Sequence, residues 1–338
     1  MRTTTITTTT TLASPRRRQL LTLTAAAAGV VAAPGIVRAQ SSDRPVRFVL
    51  PVSAGSGVDT IVRACAPTLA LQLRRPVVVE NQPGAGGITG TATLVKAAPD
   101  GFTLSVVSNN HVIFPSVYKS LPFDPIADIT PITVLGSTPL AVVVNPHKLP
   151  VKTVPELVAL LKANPGKYNY GSAGNGTILH LAAAMFLEEA GVTAQHVPYK
   201  GTGPLLADLL GGQVDMGVIA FPAIQAHLQS RGLVAVGVGT AARSPILPDL
   251  PTVAEQGLPG YVVEGWFGVI GPARLPAASV QQIHQAFVAA MAVPEVRDAM
   301  LKQGNAINPT SPEAAAAFFR AEKDKYARIV KAAGVQAA

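Results

Sequence analysis

Two short stretches decide the reading of this chain: Ser53-Ala54-Gly55-Ser56-Gly57 and Ser172-Ala173-Gly174-Asn175-Gly176. Each follows a short strand-like run (46–50 and 168–170) and precedes a helical pattern (59–73 and 177–190). A glycine-rich loop opening a helix offers backbone N–H groups that lack intrahelical acceptors, at the positive end of the helix dipole. That combination suits an anion, and glycine lets a ligand approach the backbone closely. One such loop in each half predicts a cleft with two facing anion sites. The same connection also occurs in sheets as a plain turn, and so short an echo arises by chance in a Gly/Ala-rich chain; the residues alone leave both open. Neither loop reads G-x-G-x-x-G, and no G-x-x-x-x-G-K-[ST] occurs, so no nucleotide cofactor is expected.

Outward from these loops, strand and helix signals alternate. Strands are expected at 77–80 and 103–107, with a helix at 87–97 between them. The runs 132–135 and 140–144 read as two strands separated by a turn at Pro139, able to carry the chain between domains. A second alternating series follows. Its helices are 154–163 (opened by Thr153, with Pro155 and Glu156 in the first turn), 177–190 (closed by Gly191), 204–210 and 223–230. Its strands are 195–197, 214–220 and 233–238. The strand at 262–270 returns, and helices at 277–291, 295–303 and 312–333 finish the chain. The pattern is α/β, two lobes each built on a mainly parallel sheet flanked by helices. Lobe 1 is assigned to residues 41–142 plus 264–338, and lobe 2 to residues 143–263.

Composition narrows the function. The formal charge is +8, from 27 Lys+Arg and 19 Asp+Glu. Arg2, Arg16, Arg17, Arg18 and Arg38 all fall within residues 1–40, which carry no acid. The remainder is nearly balanced and no basic stripe survives, which argues against nucleic acid. Hydrophobic residues make up 48% and charged residues 14%, enough for large cores; residues 41–338 hold no apolar run long enough to cross a membrane. Residues 1–40 read as a cleaved export signal. Arg16-Arg17-Arg18-Gln19-Leu20-Leu21 precedes a mild apolar stretch that ends at Val37-Arg38-Ala39. The adjacent arginines point to the twin-arginine type, with an ordinary secretion signal as the alternative. A single cysteine, Cys65, gives no internal disulfide and reads as a buried, inert thiol.

Catalytic and metal constellations are absent from the sequence. The histidines His111, His147, His180, His196, His227 and His284 form no close ligand pair, and there is no G-x-S-x-G elbow. His180, in the first turn after the second loop, reads either as a donor to a ligand carboxylate or as a local hydrogen-bonding group. Asp59, in the first turn after the first loop, reads as a cap.

Six motifs carry a family resemblance. They are Leu50-Pro51-Val52-Ser53-Ala54-Gly55-Ser56-Gly57-Val58-Asp59, Val79-Glu80-Asn81-Gln82-Pro83-Gly84-Ala85-Gly86-Gly87, Ala98-Pro99-Asp100-Gly101-Phe102-Thr103-Leu104, Tyr170-Gly171-Ser172-Ala173-Gly174-Asn175-Gly176-Thr177, Val197-Pro198-Tyr199-Lys200-Gly201 and Gly211-Gly212-Gln213-Val214-Asp215. In this order, over nearly the whole of residues 44–333, the chain resembles the Bug-type extracytoplasmic solute receptors, the substrate-binding proteins of tripartite tricarboxylate transporters. The resemblance implies a two-lobed periplasmic-binding-protein fold of the Venus-flytrap kind, with ligand held between the lobes by backbone groups and water. By position it carries over ligand contacts at Ser53, Ala54, Gly55, Ser56 and Asp59 in the first loop. In the second it carries over Ser172, Gly174, Asn175, Thr177 and His180, with Asn109, His111 and Tyr199 as further cleft candidates. Val52 and Ser56 stand where the family often has Phe and Gly, so ligands transfer only as a class.

The function implied is capture of a small carboxylate in the periplasm by a monomeric, non-enzymatic protein. Delivery to the membrane components of a tripartite tricarboxylate-type transporter would follow. A periplasmic sensor reporting to a sensor kinase is one alternative, and a hydrolase using the same cleft is another. No metal or other cofactor is expected.

Overall fold

The computed structural model describes residues 44–332 and Val335; the export-signal reading of residues 1–40 lies outside the described residues. The chain opens with Val46–Leu50 (β1), Gly57–Leu73 (α1), Val77–Asn81 (β2), Ile88–Val95 (α2), Thr103–Ser108 (β3) and Asn110–Val117 (α3). A long strand, Ile129–Val144 (β4), comes next. Then come Val154–Ala163 (α4), Asn169–Ser172 (β5), Ile178–Ala190 (α5), Gln195–Pro198 (β6), Thr202–Leu210 (α6), Met216–Ala220 (β7), Phe221–Gln229 (α7) and Val234–Val238 (β8). The strand Glu264–Pro272 (β9) returns. Ala277–Ala292 (α8), Pro294–Lys302 (α9), Ala306–Ile307 (β10) and Pro312–Ala332 (α10) follow it.

Local chemistry accounts for these boundaries. Thr153 caps α4 by accepting the Glu156 N–H, with Pro155 in the first turn, and Gly191 ends α5 in the left-handed conformation. Cys65 in α1 is fully buried, and burial pushes its thiol up to about 12, so it is inert as expected.

The sheet runs β2-β1-β3-β9-β4-β7-β5-β6, with β8 and β10 also pairing β4. The parallel pairs expected of the two lobes are β1–β2, β1–β3, β5–β6 and β5–β7. Both long strands are antiparallel to their neighbours, so the sheet as a whole is mixed. The expected turn at Pro139 is absent. β4 is one strand: residues 129–139 pair β9, and residues 140–144 pair β7 and β8. Proline cannot donate to a ladder, but here it stands where the strand changes partners, so no interior pair is lost. Gly136, at φ +153°, lies in a register shift of the β4–β9 pair, and a Cβ there would collide with the Ala306 carbonyl of β10.

Three groups of buried side chains hold the molecule together. One is drawn from Leu140 to Val263, including Phe186, Leu205, Met216 and Tyr261. A second joins residues from both ends of the chain, Phe48, Ile61, Leu104 and Leu135 with Phe287 and Met291. The third, around Trp266, Phe319 and Tyr326, also takes in Leu181 of α5. Leu181 thus packs across from the middle of the chain into the core built by its ends.

Candidate functional site

The first loop is organised by one buried carboxylate. Ser56 is the N-cap of α1, in extended conformation, and its Oγ accepts the Asp59 N–H at 3.3 Å. The Asp59 side chain reaches back to accept the Gly55 N–H at 2.9 Å. It also accepts Arg63 Nε at 2.9 and 3.0 Å and Asn81 Nδ2 at 2.9 Å. Asn81 Nδ2 lies 3.2 Å from the Val52 carbonyl as well, tying β2 to the loop. Burial alone would raise the Asp59 carboxyl; the donors from Arg63, Gly55 and Asn81 outweigh it and hold the group below its ordinary value. Only 3% of Asp59 is exposed. Its hydrogen bonds set the loop, as a cap should. Ser53, Ala54, Gly55 and Gly57 lie exposed around it. The N–H groups of Ala54, Gly57 and Val58 have no acceptor among the described residues.

The second loop repeats this construction with different side chains. Thr177 is the N-cap of α5, and its Oγ1 accepts the His180 N–H at 3.4 Å and donates to the Gly174 carbonyl at 2.8 Å. His180 Nδ1 reaches back to accept the Gly176 N–H at 3.1 Å. Gly55 and Gly176 share a left-handed backbone, φ +79° and +70°. In both loops the third residue after the cap accepts from the glycine before it, a variant of the capping box. Structurally Gly55, Ser56 and Asp59 therefore match Gly176, Thr177 and His180. The Ser-Ala-Gly echo in the sequence is displaced from this equivalence by two residues.

His180 sits in a stack. Its ring lies 3.9 Å from that of His196, with 4° between the planes, and His196 lies 4.9 Å from Tyr170. Burial, then the neighbouring His196, brings His180 down to about 4, and burial lowers His196 too, so both rings are neutral near pH 7. Because Nδ1 of His180 accepts the Gly176 N–H hydrogen bond, the neutral ring carries its hydrogen on Nε2.

His196 also pairs with Ser172, Nε2 to Oγ at 2.7 Å. This pair is not a nucleophile and base. Ser172 is fully buried. Its Oγ is already held by the Gly174 carbonyl and N–H, both at 3.2 Å, and among the described residues no carboxylate orients His196. Ser172 serves instead to shape the loop around Gly174.

Asn109, His111 and Tyr199 are engaged within the fold. The Asn109 amide donates to the Glu264 carbonyl and Tyr326 hydroxyl at 3.1 and 2.8 Å and accepts the Trp266 N–H at 3.0 Å. His111 Nε2 meets the Pro125 carbonyl at 2.7 Å, and its ring stacks on Phe123. The Tyr199 hydroxyl donates to Asp208 at 2.8 Å, while its carbonyl lies against Gly174. Asn175 remains exposed.

Sequence reasoning missed Asn110, the residue between two of its candidates. Its Oδ1 accepts the Ile178 N–H at 3.2 Å, so a side chain from the first turn of α3 caps the first turn of α5. Nearby, Gly176 packs on Val117 so closely that a Cβ would come within 2.7 Å of that side chain. No motif marks Asn110; its role follows from α3, a helix that the strand-like run Val112-Ile113-Phe114 and the internal Pro115 conceal.

Relatives share this architecture. Protein BugT of Bordetella pertussis is 32% identical over 312 residues, covering 90% of this chain and 95% of the relative. The structure of Rpa4515 of R. palustris with adipate superposes with TM-score 0.81 at 28% identity, covering 88% and 100% of the two chains. MatC of Rhodopseudomonas palustris with bound malate gives 0.75 at 28%, covering 84% and 99%. The fold is that of periplasmic binding proteins. The family model for the tripartite tricarboxylate transporter family receptor matches residues 61–335, a family of solute-binding receptors rather than enzymes. The chain therefore belongs to the Bug-type receptors of the tripartite tricarboxylate transporter family.

Proposed function

We propose that this protein captures a small carboxylate between its two lobes in the periplasm and hands it to the membrane components of a tripartite tricarboxylate-type transporter. The observation that carries the reading is the open donor set of the first loop. The N–H groups of Ala54, Gly57 and Val58 have no partner among the described residues at the N-terminus of α1, a start built like that of α5. Such donors favour an anion without a charged side chain. Two relatives hold adipate and malate, both carboxylates. The division into lobes at residues 41–142 plus 264–338 and 143–263 is supported by the separate cores, which meet along β4. Residues 1–40 act as the cleaved export signal, and the mature protein works as a monomer.

Thermal shift and calorimetric titration with mono-, di- and tricarboxylates test this. Stabilisation by mass action is expected with carboxylates; a response confined to cations or neutral sugars would overturn it. Loss of carboxylate uptake in a receptor-deleted strain separates delivery from signalling to a sensor kinase. N-terminal sequencing of exported protein should begin near Gln40.

A further inference from the structure

Two peptides of the second loop turn their N–H groups inward. The Gly176 N–H donates to His180 Nδ1 at 3.1 Å, and the Gly174 N–H to Ser172 Oγ at 3.2 Å. The N–H of Asn175, between them, has no acceptor among the described residues. Ser172 Oγ in turn lies 2.7 Å from His196 Nε2, so both inward routes end on a histidine. These histidines come from different elements. Tyr170 and His196 are register partners in the parallel β5–β6 pair, so their side chains stand on one face of the sheet, which Ser172, two residues on, shares. His180, in the first turn of α5, covers them. Its ring lies 3.9 Å from that of His196, which lies 4.9 Å from that of Tyr170.

A neutral imidazole has one N–H and one acceptor nitrogen. His180 accepts at Nδ1, so its hydrogen is on Nε2. For His196 the single hydrogen of the Ser172 hydroxyl is decisive. The Gly174 carbonyl, 3.2 Å from that hydroxyl, already accepts from Thr177 twice, from Oγ1 at 2.8 Å and from N–H at 3.3 Å, which fills its two lone pairs. The Ser172 hydrogen therefore goes to the nearer and open acceptor, His196 Nε2, and Oγ accepts from Gly174. His196 then carries its own hydrogen on Nδ1. The two stacked rings are opposite tautomers, each the last acceptor in a route from one glycine peptide. Burial keeps both rings neutral; a protonated ring has no nitrogen left to accept with.

We propose that His180 and His196 are positioning residues for the second loop, each fixing one glycine peptide: His180 directly at Gly176, and His196 through Ser172 at Gly174. They act through the loop and not on the ligand, by holding the backbone on either side of Asn175. The effect on affinity rests on the carboxylate reading above; the tautomers and the anchoring do not.

Amide side chains separate the two routes. Asparagine places its oxygen near the Nδ1 position of a histidine, and glutamine near the Nε2 position. His180→Asn should therefore keep the Gly176 bond and His180→Gln lose it, whereas His196→Gln should keep the Ser172 bond and His196→Asn lose it. In calorimetric titration with adipate and with malate, the losing variant at each position should bind about five-fold more weakly than the keeping one, the worth of one hydrogen bond. Filling of space alone would rank asparagine and glutamine the same way at both positions, so a same-way ranking, or equal affinities, overturns the proposal. Nitrogen-15 spectra of the histidine rings in the unliganded parent protein near pH 7 should show the hydrogen on Nε2 of His180 and on Nδ1 of His196. Any other pair of tautomers, or a charged ring, overturns it as well. Failure of both acids to bind the parent protein counts against the carboxylate reading, and amide hydrogen exchange then decides the anchoring. Exchange at Gly176 should quicken in His180→Gln but not in His180→Asn, and at Gly174 in His196→Asn but not in His196→Gln; exchange indifferent to these swaps overturns it.

Discussion

Lowering the pH from 7 to 5 should cost this protein several kcal/mol of stability, through histidines rather than carboxylates. His111 and His180 are buried and lie at about 4 in the folded protein, against 6.5 ordinarily. For His111 the cause is burial, only partly offset by the Pro125 carbonyl. A histidine with a depressed folded value is neutral in both states above 6.5. Below that the unfolded chain takes up the proton and the folded protein resists, so stability falls until the pH reaches the folded value. By pH 5 the imbalance is about 1.5 units per residue, or about 2 kcal/mol each at about 1.4 kcal/mol per unit. Two such residues give about 4 kcal/mol, against a typical total of about 5–15 kcal/mol. His196 adds in the same direction. The depressed carboxylates, Asp59, Glu80 and Asp124, contribute in the opposite window, losing their share only below about 4, so they do not mask the effect. Urea unfolding at pH 7, 6 and 5 measures it directly, and His111→Gln with His180→Gln should flatten the slope whatever their cost at pH 7. Equal stability of the parent protein at pH 7 and 5, or an unchanged slope in the double variant, would refute the argument.

Three further outcomes are expected. Asn110→Ala removes the acceptor of the Ile178 N–H and should weaken ligand binding about five-fold, the equivalent of about 1 kcal/mol, with a larger radius of gyration in small-angle scattering of the unliganded protein. Asp59→Asn keeps the size of the side chain but loses the charge that Arg63 meets. With Arg63 half exposed, the expected loss is about 1–2 kcal/mol in urea titration, along with disorder at Gly55. Gly174→Asp should abolish carboxylate binding in calorimetry, since φ +129° disfavours a side chain and its Cβ would come within 3.3 Å of the Tyr199 carbonyl. Gly232→Asp, where the nearest atom is the end of the Leu210 side chain, should leave affinity unchanged.

Helices with chemical punctuation were legible from sequence. Thr153, Pro155 and Glu156 located α4 to the residue, and Gly191 ended α5 where expected. Proline misled in opposite ways. At Pro139 it suggested a turn, although an extended residue that needs no donor fits a partner change; at Pro115 it helped to hide α3. The two loops were found, but their correspondence was displaced. Ser-Ala-Gly is a likeness of letters, whereas the physical likeness lies in a cap hydroxyl and an acceptor three residues on. Aspartate and histidine fill that second place equally well, one as a carboxylate and one as a ring nitrogen, and no substitution pattern within one sequence links them. Asn109 and His111 were singled out only by position in the family resemblance. Both turned inward, and the residue between them faced the other lobe.

The chain passes between the two cores twice, after Pro139 and before Glu264, and these residues are paired neighbours in the β4–β9 ladder. Both covalent links thus lie side by side in one ribbon, which acts as a leaf spring: more compliant to bending across its face than to shear in its plane. Any rocking of one half against the other is confined to nearly a single rotational coordinate, with displacement growing in proportion to distance from the ribbon. A pair of fluorophores placed far from it, one on each half, would convert any such motion into a readable change of distance.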